Sequence, residues 1–446
     1  MEMMNRRKVM GIKVAKFGGS SVADGIQLAK MREIIEQDAD RKYIIVSAPG
    51  KRFPSDTKVT DLLYLCMTQK ENNIPYDQVF QVIEDRFMAV KMNLGLEVDL
   101  KKHFDEIKKN MDEGASEDYI VSRGEYLSAV ITAAYMGYDF VDTKGLILFD
   151  KRGRLDIEAT DKALGEELAK HERAVIPGFY GSSIEDGSIK IFSRGGSDIS
   201  GSLVARAVGA DVYENWTDVS GFLMADPKIV DNPKPIRSIS YMELRELSYM
   251  GASVMHEDAV NPLKVVNIPI NIRNTNDPQN PGTIITAEHD KDDDRIITGI
   301  AGSKDFTVIT VYKNGLNKEK GFVRKFLSII EDNDISFEHL PTGIDTVSIV
   351  ITNEQLGDNL EDILEQLQLR LKPDVVEVHD NISMIAVVGE RMSHRTGVSA
   401  TVFTALAKEG VNVRTIDQST REMNIIIGVG TEDFERAVRV LYDAFN

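Results

Sequence analysis

One cysteine and thirteen prolines are all that 446 residues carry of these two types, and each shortage excludes something. Cys66 cannot close an intrachain disulfide, and no cluster of Cys and His spaced as metal ligands surrounds it. It reads as a small buried thiol. Few prolines, with 42% hydrophobic and 28% charged residues, exclude a disordered chain, and the length supplies two or three cores. Cations are also short: 53 Lys and Arg against 71 Asp and Glu leave −18, a surface that repels nucleic acid and anionic membrane. No apolar run approaches the length of a membrane span, and the basic start MEMMNRRKVMGIKVAKF leads into no apolar signal segment. With the cysteine count, these absences point to a reducing cytoplasm.

What is present is alternation. From Ile12 to about Ile285, strand-like runs (IKVAKF, YIIVSA, AVIPGF, KIFSRG, DVYENW) alternate with helical patterns such as DGIQLAKMREIIEQ and ATDKALGEELAKH. That pattern predicts an α/β sandwich on a largely parallel sheet. NTNDPQNPG, Asn274–Gly282, reads as a linker, and the charged run EHDKDDDR follows at Glu288–Arg295. The main domain boundary is expected there. Beyond it, FTVITVY, GFVRKFLSIIED, ISFEHL, TVSIVI, NLEDILEQLQ and VVEVH spell β-α-β-β-α-β, and from Ser383 the series starts again. Two ferredoxin-like units in tandem are expected. The second stops at Asn446 one element short, so the early strand at Ile296–Gly302 is expected to complete its sheet.

Four motifs carry candidate chemistry. KFGGSS, Lys16–Ser21, lies between a strand and a helix. Its glycines let backbone approach a ligand, and the helix N-terminus favours a phosphate. Lys16 adds a mobile charge. No Walker A loop is present, and a glycine pair after a strand is equally at home as a plain turn. FSRGGSDISGSLVARAVGA, Phe192–Ala210, repeats the logic, with Arg194 as a fork for a carboxylate and Asp198 in the first helical turn. An N-cap with a surface ion pair would look the same. NWTDVSGFLMADPKIV, Asn215–Val230, offers Thr217, Asp218, Phe222 and Lys228 in a loop able to hold a nucleotide. SRGEYLSA, Ser122–Ala129, reads as a charged turn opening a helix, with Glu125 able to bind an amino group.

Taken in order, KFGGSS, VSRGEYLSA, SRGGSDISG and WTDVSGFLMADP resemble the aspartate kinases of the amino acid kinase family. EHLPTGIDTVSIVI and RTGVSATVFTALAKEGVNVRTIDQ resemble the ACT regulatory units of those enzymes, and the likeness covers nearly the whole chain. It implies a three-layer α/β/α amino-acid-kinase domain at 1–290, a first ACT domain at 295–378 and a second at 379–446. ATP and Mg²⁺ would be the cofactors, the metal held mainly by phosphates and water with no direct protein ligand. L-Aspartate would be the substrate, and its side-chain carboxylate the acceptor, in the first step toward lysine, threonine and methionine.

The likeness also assigns residues. Lys16 and Asp198 would be catalytic, with Gly18, Gly19, Ser20, Gly195 and Gly196 cradling phosphate. Ser47, Thr60, Phe179 and Ser197 would line the substrate pocket, Arg194 would clamp the α-carboxylate and Glu125 the α-ammonium. Thr217, Asp218, Phe222 and Lys228 would serve the nucleotide. Phe322, Val323, Glu338, Thr342 and Ile344 would hold an effector, lysine or threonine or both, in a homodimer or dimer of dimers. An ionised carboxylate nucleophile needs no general base, so His171, His256 and His339 are expected to be structural. One departure stands out: GASVMHE puts Ser253 where the family usually has a lysine, a lost contact of about 1.5–3 kcal/mol. That keeps open an amino-acid-binding sensor of weak or lost turnover, and because the Arg194/Glu125 pair does not decide the substrate, a kinase for another acidic amino acid stays open too.

Overall fold

The computed structural model describes residues 11–252, 255, 257–288 and 294–446; Ser253 and His256 lie outside them. The strands up to residue 288 are β1 (Lys13–Phe17), β2 (Arg41–Val46), β3 (Asp139–Phe140), β4 (Leu148–Phe149), β5 (Ala174–Pro177), β6 (Tyr180–Ser183), β7 (Ile189–Ile191), β8 (Val212–Thr217), β9 (Ser238–Ser240), β10 (Ile270–Asn274) and β11 (Thr283–Thr286). Eight form one sheet in the order β3-β5-β2-β1-β8-β10-β11-β9, and β4, β6 and β7 form a small second one. From β3 through β10 every pairing is parallel. Parallel strands need crossovers, and helices on both faces provide them.

Side-chain alternation divides the faces. Ala15 and Phe17 on β1, Ile44 and Val46 on β2 and Trp216 on β8 join one core with the helices Gly25–Glu36, Val59–Glu71, Asp77–Asn93 and Leu100–Asp112. The alternate residues turn the other way: Tyr43 donates to the Leu168 carbonyl (3.0 Å) and Tyr213 to that of Asp198 (3.3 Å). Period 2 therefore puts Lys16 on the face of the helix Gly196–Ala207. The three-layer sandwich follows.

A buried ion cluster ties the central strands on the first face. Arg41 of β2 meets Glu214 of β8 at 2.7 Å, and Trp216 Nε1 donates to the same carboxylate at 2.9 Å. The Arg41 and Arg273 guanidiniums lie 5.3 and 4.5 Å from the Trp216 ring, and Phe17 stacks on it at 5.9 Å. Two cations and one carboxylate out of water need these extra contacts.

Two expectations are corrected here. Asn274–Gly282 does interrupt regular structure, but it joins the antiparallel pair β10 and β11 as a hairpin inside the large sheet. It is not an interdomain linker. SRGE does not open a helix: the helix runs Glu117–Met136, with Ser116 accepting from the Tyr119 N–H as its cap. Arg123, Gly124 and Glu125 are buried in its interior. Capping serine followed by two acids is the true start signal.

The second compact unit holds Leu223–Ile236, most of the helix Tyr241–Tyr249, and the C-terminal part of the chain. Its strands are β12 (Gly299–Tyr312), β13 (Thr346–Thr352), β14 (Val375–Val388), β15 (Val413–Asp417) and β16 (Asn424–Gly430), in the order β13-β12-β14-β16-β15. β12 and β14 are each 14 residues long and change partners midway. Gly299–Ser303 runs antiparallel to Met384–Val388, and Phe306–Tyr312 pairs with both β13 and the first half of β14. Asp305 and Asn381, at φ 70° and 55°, sit where the ladder is interrupted. ISFEHL forms no full strand. It bridges β13 at His339, a second bridge follows beyond it at Thr342, and Pro341 between them has no N–H to give a ladder.

Candidate active site

The large sheet reverses its winding at β1, with β2 on one side and β8 on the other. In such sheets the crevice at the carboxyl ends of the two diverging strands is the usual ligand site. β1 ends in Lys16-Phe17 and runs into Gly18; β8 ends in Asn215-Trp216-Thr217. Gly18 N–H donates to the Trp216 carbonyl at 3.0 Å, which closes the turn over the junction. Gly19 opens a short 3-10 helix, Gly19–Val22, that carries Ser20 half-buried.

Lys16 is only 7% exposed, and its Nζ lies 2.5 Å from Asp198 Oδ1. A Cβ on Gly18 would sit 3.6 Å from that Nζ, so the ammonium lies beside the glycine turn. Asp198 is in the first turn of Gly196–Ala207, and Asn215 Nδ2 donates to the same Oδ1 at 2.9 Å. The cation is held in one place by a carboxylate that is itself held. Sequence reasoning misses Asn215, because it stands beside Glu214 as one of several polar residues in the strand VYENWT.

Glu125 enters from the other side. Its helix packs so tightly that a Cβ on Gly124 would lie 2.8 Å from Ala48 Cβ, in the loop that continues β2. Burial drives the Glu125 carboxyl up to about 8, against the opposing pull of the Ala48 N–H and the Arg123 and Lys16 charges. Its Oε2 is buried with no hydrogen-bond partner. An orphaned buried carboxyl oxygen beside a cationic turn is what an incoming ammonium could satisfy. Ser47 donates its N–H to the Phe17 carbonyl (3.1 Å), and Thr60 is half-buried in the first turn of Val59–Glu71.

The second glycine pair converges on the same face. Gly195 takes φ 59° as the N-cap of Gly196–Ala207. A Cβ on Gly196 would meet the Phe179 ring at 2.6 Å, and one on Gly178 would meet Ser197 at 2.7 Å. Phe179, at φ 77°, donates its N–H to Ser200 Oγ (3.0 Å). A non-glycine residue held at positive φ beside a glycine-rich turn is strain of the kind functional sites retain. Arg194 is exposed in this turn.

These observations bring together two glycine turns, a fixed lysine and an unsatisfied acid at the ends of β1 and β8, a set suited to phosphoryl transfer to an amino acid. The comparisons agree. The profile of the amino acid kinase family matches residues 11–274. The chain belongs to that family. An ACT domain profile matches residues 385–445. Aspartokinase 3 of Bacillus subtilis is 35% identical over 450 residues, covering 97% of this chain and 98% of the relative. The crystal structure of Clostridium acetobutylicum aspartate kinase superposes with a TM-score of 0.91 at 50% identity, covering 98% of this chain and all of that one. Escherichia coli aspartokinase III, in complex with lysine and aspartate, shares the fold at a TM-score of 0.75 and 24% identity, covering 97% and 99%. The enzyme is an aspartate kinase with a C-terminal ACT region.

In the aspartate kinase, the loop after β8 is tied to the hairpin beyond β10. Thr275 N–H donates to the Thr217 carbonyl (2.9 Å), and Thr217 Oγ1 donates to Asp218 (3.2 Å). Phe222 does not offer its ring to this loop: it is 2% exposed, with its N–H on Thr283 Oγ1 at 2.8 Å. Lys228 is exposed and belongs to the second unit. Among the residues expected to hold an effector, Phe322 is a core residue at 2% exposure, and Val323 packs against the same core. Thr342 and Ile344 are exposed, Ile344 at 71%. Glu338 is half-buried rather than buried, and its Oε2 accepts from the Tyr249 hydroxyl.

Proposed function

We propose that this aspartate kinase transfers the γ-phosphoryl group of ATP to the β-carboxylate of L-aspartate, giving 4-phospho-L-aspartate, in the route toward lysine, threonine and methionine. The Lys16–Asp198 pair at 2.5 Å beside the Gly18 turn carries the reading. Lys16 neutralises charge on the transferring group, while Asp198 and Asn215 keep its ammonium in line. The turns at Gly18–Ser20 and Gly195–Gly196 present backbone N–H groups to phosphate. Glu125 takes the α-ammonium of aspartate and Arg194 its α-carboxylate, with Ser47, Thr60, Phe179 and Ser197 around them. Thr217 and Asp218 serve the nucleotide. Mg²⁺ bound to the nucleotide would supply further neutralisation of the phosphates, held mainly by those phosphates and water, with Asp198 beside Lys16 as the carboxylate that would help place it.

Residues 1–290 form the catalytic domain in this proposal, with ACT domains at 295–378 and 379–446, and the enzyme works in the cytoplasm as a homodimer or dimer of dimers. Control by an end-product amino acid, lysine first and threonine next, is supported by the ACT region and by the Clostridium relative, which is an allosteric enzyme. Purified protein given ATP, Mg²⁺ and L-aspartate should yield an acyl phosphate that hydroxylamine traps, with glutamate inert and lysine or threonine suppressing turnover. Light scattering on the same sample should give at least a dimer. Turnover on glutamate alone, or none on aspartate, would overturn the assignment.

The effector side has its own test. Glu338 is engaged by Tyr249, a residue of the helix Tyr241–Tyr249. An effector ammonium binding Glu338 must share or displace that hydroxyl. Tyr249→Phe should therefore tighten inhibition roughly tenfold, the worth of one hydrogen bond to a charged group. The readout is the effector concentration giving half inhibition. An unshifted curve would show that Glu338 does not receive the effector.

A further inference from the structure

Away from the reacting groups, a buried cation serves the glycine turn from behind. Arg86 lies in the helix Asp77–Asn93 and is 5% exposed. Its Nη1 donates to the Thr57 carbonyl and its Nη2 to that of Gly50, both at 2.6 Å. Its Nε is buried with no partner. The nearest carboxylate, Asp56, is 3.7 Å away and is bonded instead to Arg52, at 2.7 and 3.0 Å. Asp56 is thus a long-range, shared counter-ion, and the hydrogen bonds of this buried guanidinium go to loop carbonyls.

The loop in question touches the phosphate turn. Gly50 N–H donates to the Gly19 carbonyl at 2.8 Å, and a Cβ on Gly50 would lie 2.8 Å from Gly19 C and 2.9 Å from Ser20 N. A Cβ on Gly19 would in turn lie 2.9 Å from the Ala48 carbonyl. The two backbones are in contact with no side chain between them, so a shift of Gly50 is passed to Gly19 and Ser20. The same loop begins with Ala48, whose N–H reaches Glu125, and ends where the helix Val59–Glu71 begins.

We propose that Arg86 is a positioning residue for phosphoryl transfer: by fixing the carbonyls of Gly50 and Thr57 it sets the place of the Gly19–Ser20 backbone under the transferring phosphate. The inference rests on the reading of Gly18–Ser20 as the phosphate cradle. Wild-type turnover, and its loss in Lys16→Met, tests that reading first and separately.

Arg86→Ala should lower kcat/KM for ATP about 100-fold, the usual cost of a displacement near 1 Å in a reacting site. The aspartate KM should change far less. Ethylguanidinium should restore part of the loss, and ethylammonium should not, because only a planar fork reaches both carbonyls. Gly50→Ala keeps Arg86 but forces the two backbones apart, and should show the same ATP-side defect; it decides the matter if Arg86→Ala does not fold. A folded Arg86→Ala enzyme with unchanged kcat/KM for ATP would overturn the proposal. So would a defect that ignores ethylguanidinium alongside a fully active Gly50→Ala enzyme, since Arg86 would then only support packing.

Discussion

Lys16→Met should lower kcat about a thousandfold while leaving the KM for aspartate nearly unchanged, the signature of a contact made chiefly in the transition state. Aspartate brings an ionised nucleophile, so proton transfer contributes little to the barrier and charge neutralisation carries most of it. The Lys16 ammonium, 2.5 Å from Asp198 and beside Gly18, is the cation placed at that turn by the register of β1 against β8. Lys16→Arg should not rescue it: a planar guanidinium needs more room than a buried point charge and would bind Asp198 in a fork. Asp198→Asn should cost less than Lys16→Met, because Asn215 still anchors position 198 while the lysine loses only its counter-charge. Steady-state kinetics on the three variants checks the order. Equal losses from all three, with falling melting temperatures, would make the pair structural.

Which parts of this arrangement were legible beforehand follows from the range of the interactions. The KFGGSS and SRGGSD turns are local, each a strand, two glycines and a helix start, and short-range chemistry specifies both. The pairing of Lys16 with Asp198 spans the domain: family likeness names both as catalytic, and spacing gives no sign that they meet. Asn215 looked like one more strand residue, because only the sheet register shows that it shares a face with Lys16. Arg86 and Gly50 are 36 residues apart, and nothing near either one signals the contact. As the aromatic of a loop with free backbone amides and a lysine, Phe222 suggests a nucleotide-base contact; instead Thr283 captures its backbone and the ring is buried. SRGE was misread because its charges suggested a solvated helix end. The Arg123 charge is instead absorbed by aromatics: its guanidinium lies 4.5, 4.7 and 5.0 Å from the rings of Tyr119, Tyr126 and Tyr180. Cation–π contacts of this kind let an arginine enter a core without a carboxylate partner.

The burial that hid Glu125 also gives it a measurable pH signature. With its carboxyl raised by desolvation to about 8, the free enzyme holds Glu125 largely protonated at neutral pH. An ammonium binds the carboxylate far better than the acid, so aspartate must expel that proton to dock. The KM for aspartate should therefore fall as pH rises toward about 8, close to tenfold per unit, and level off above it. Glu125→Gln should raise that KM by roughly 10- to 100-fold at pH 8, the loss of one charged hydrogen bond, and abolish the slope. Stability should move in the opposite sense. A carboxyl raised above its unfolded value stabilises the fold fully below that value, and the contribution is lost as pH climbs through the folded one. Thermal melts of Glu125→Gln should therefore gain on the parent as pH rises from 5 to about 8. If the aspartate KM were flat with pH while the melts still diverged, Glu125 would be a buried structural acid, and the α-ammonium would have to be held by another group.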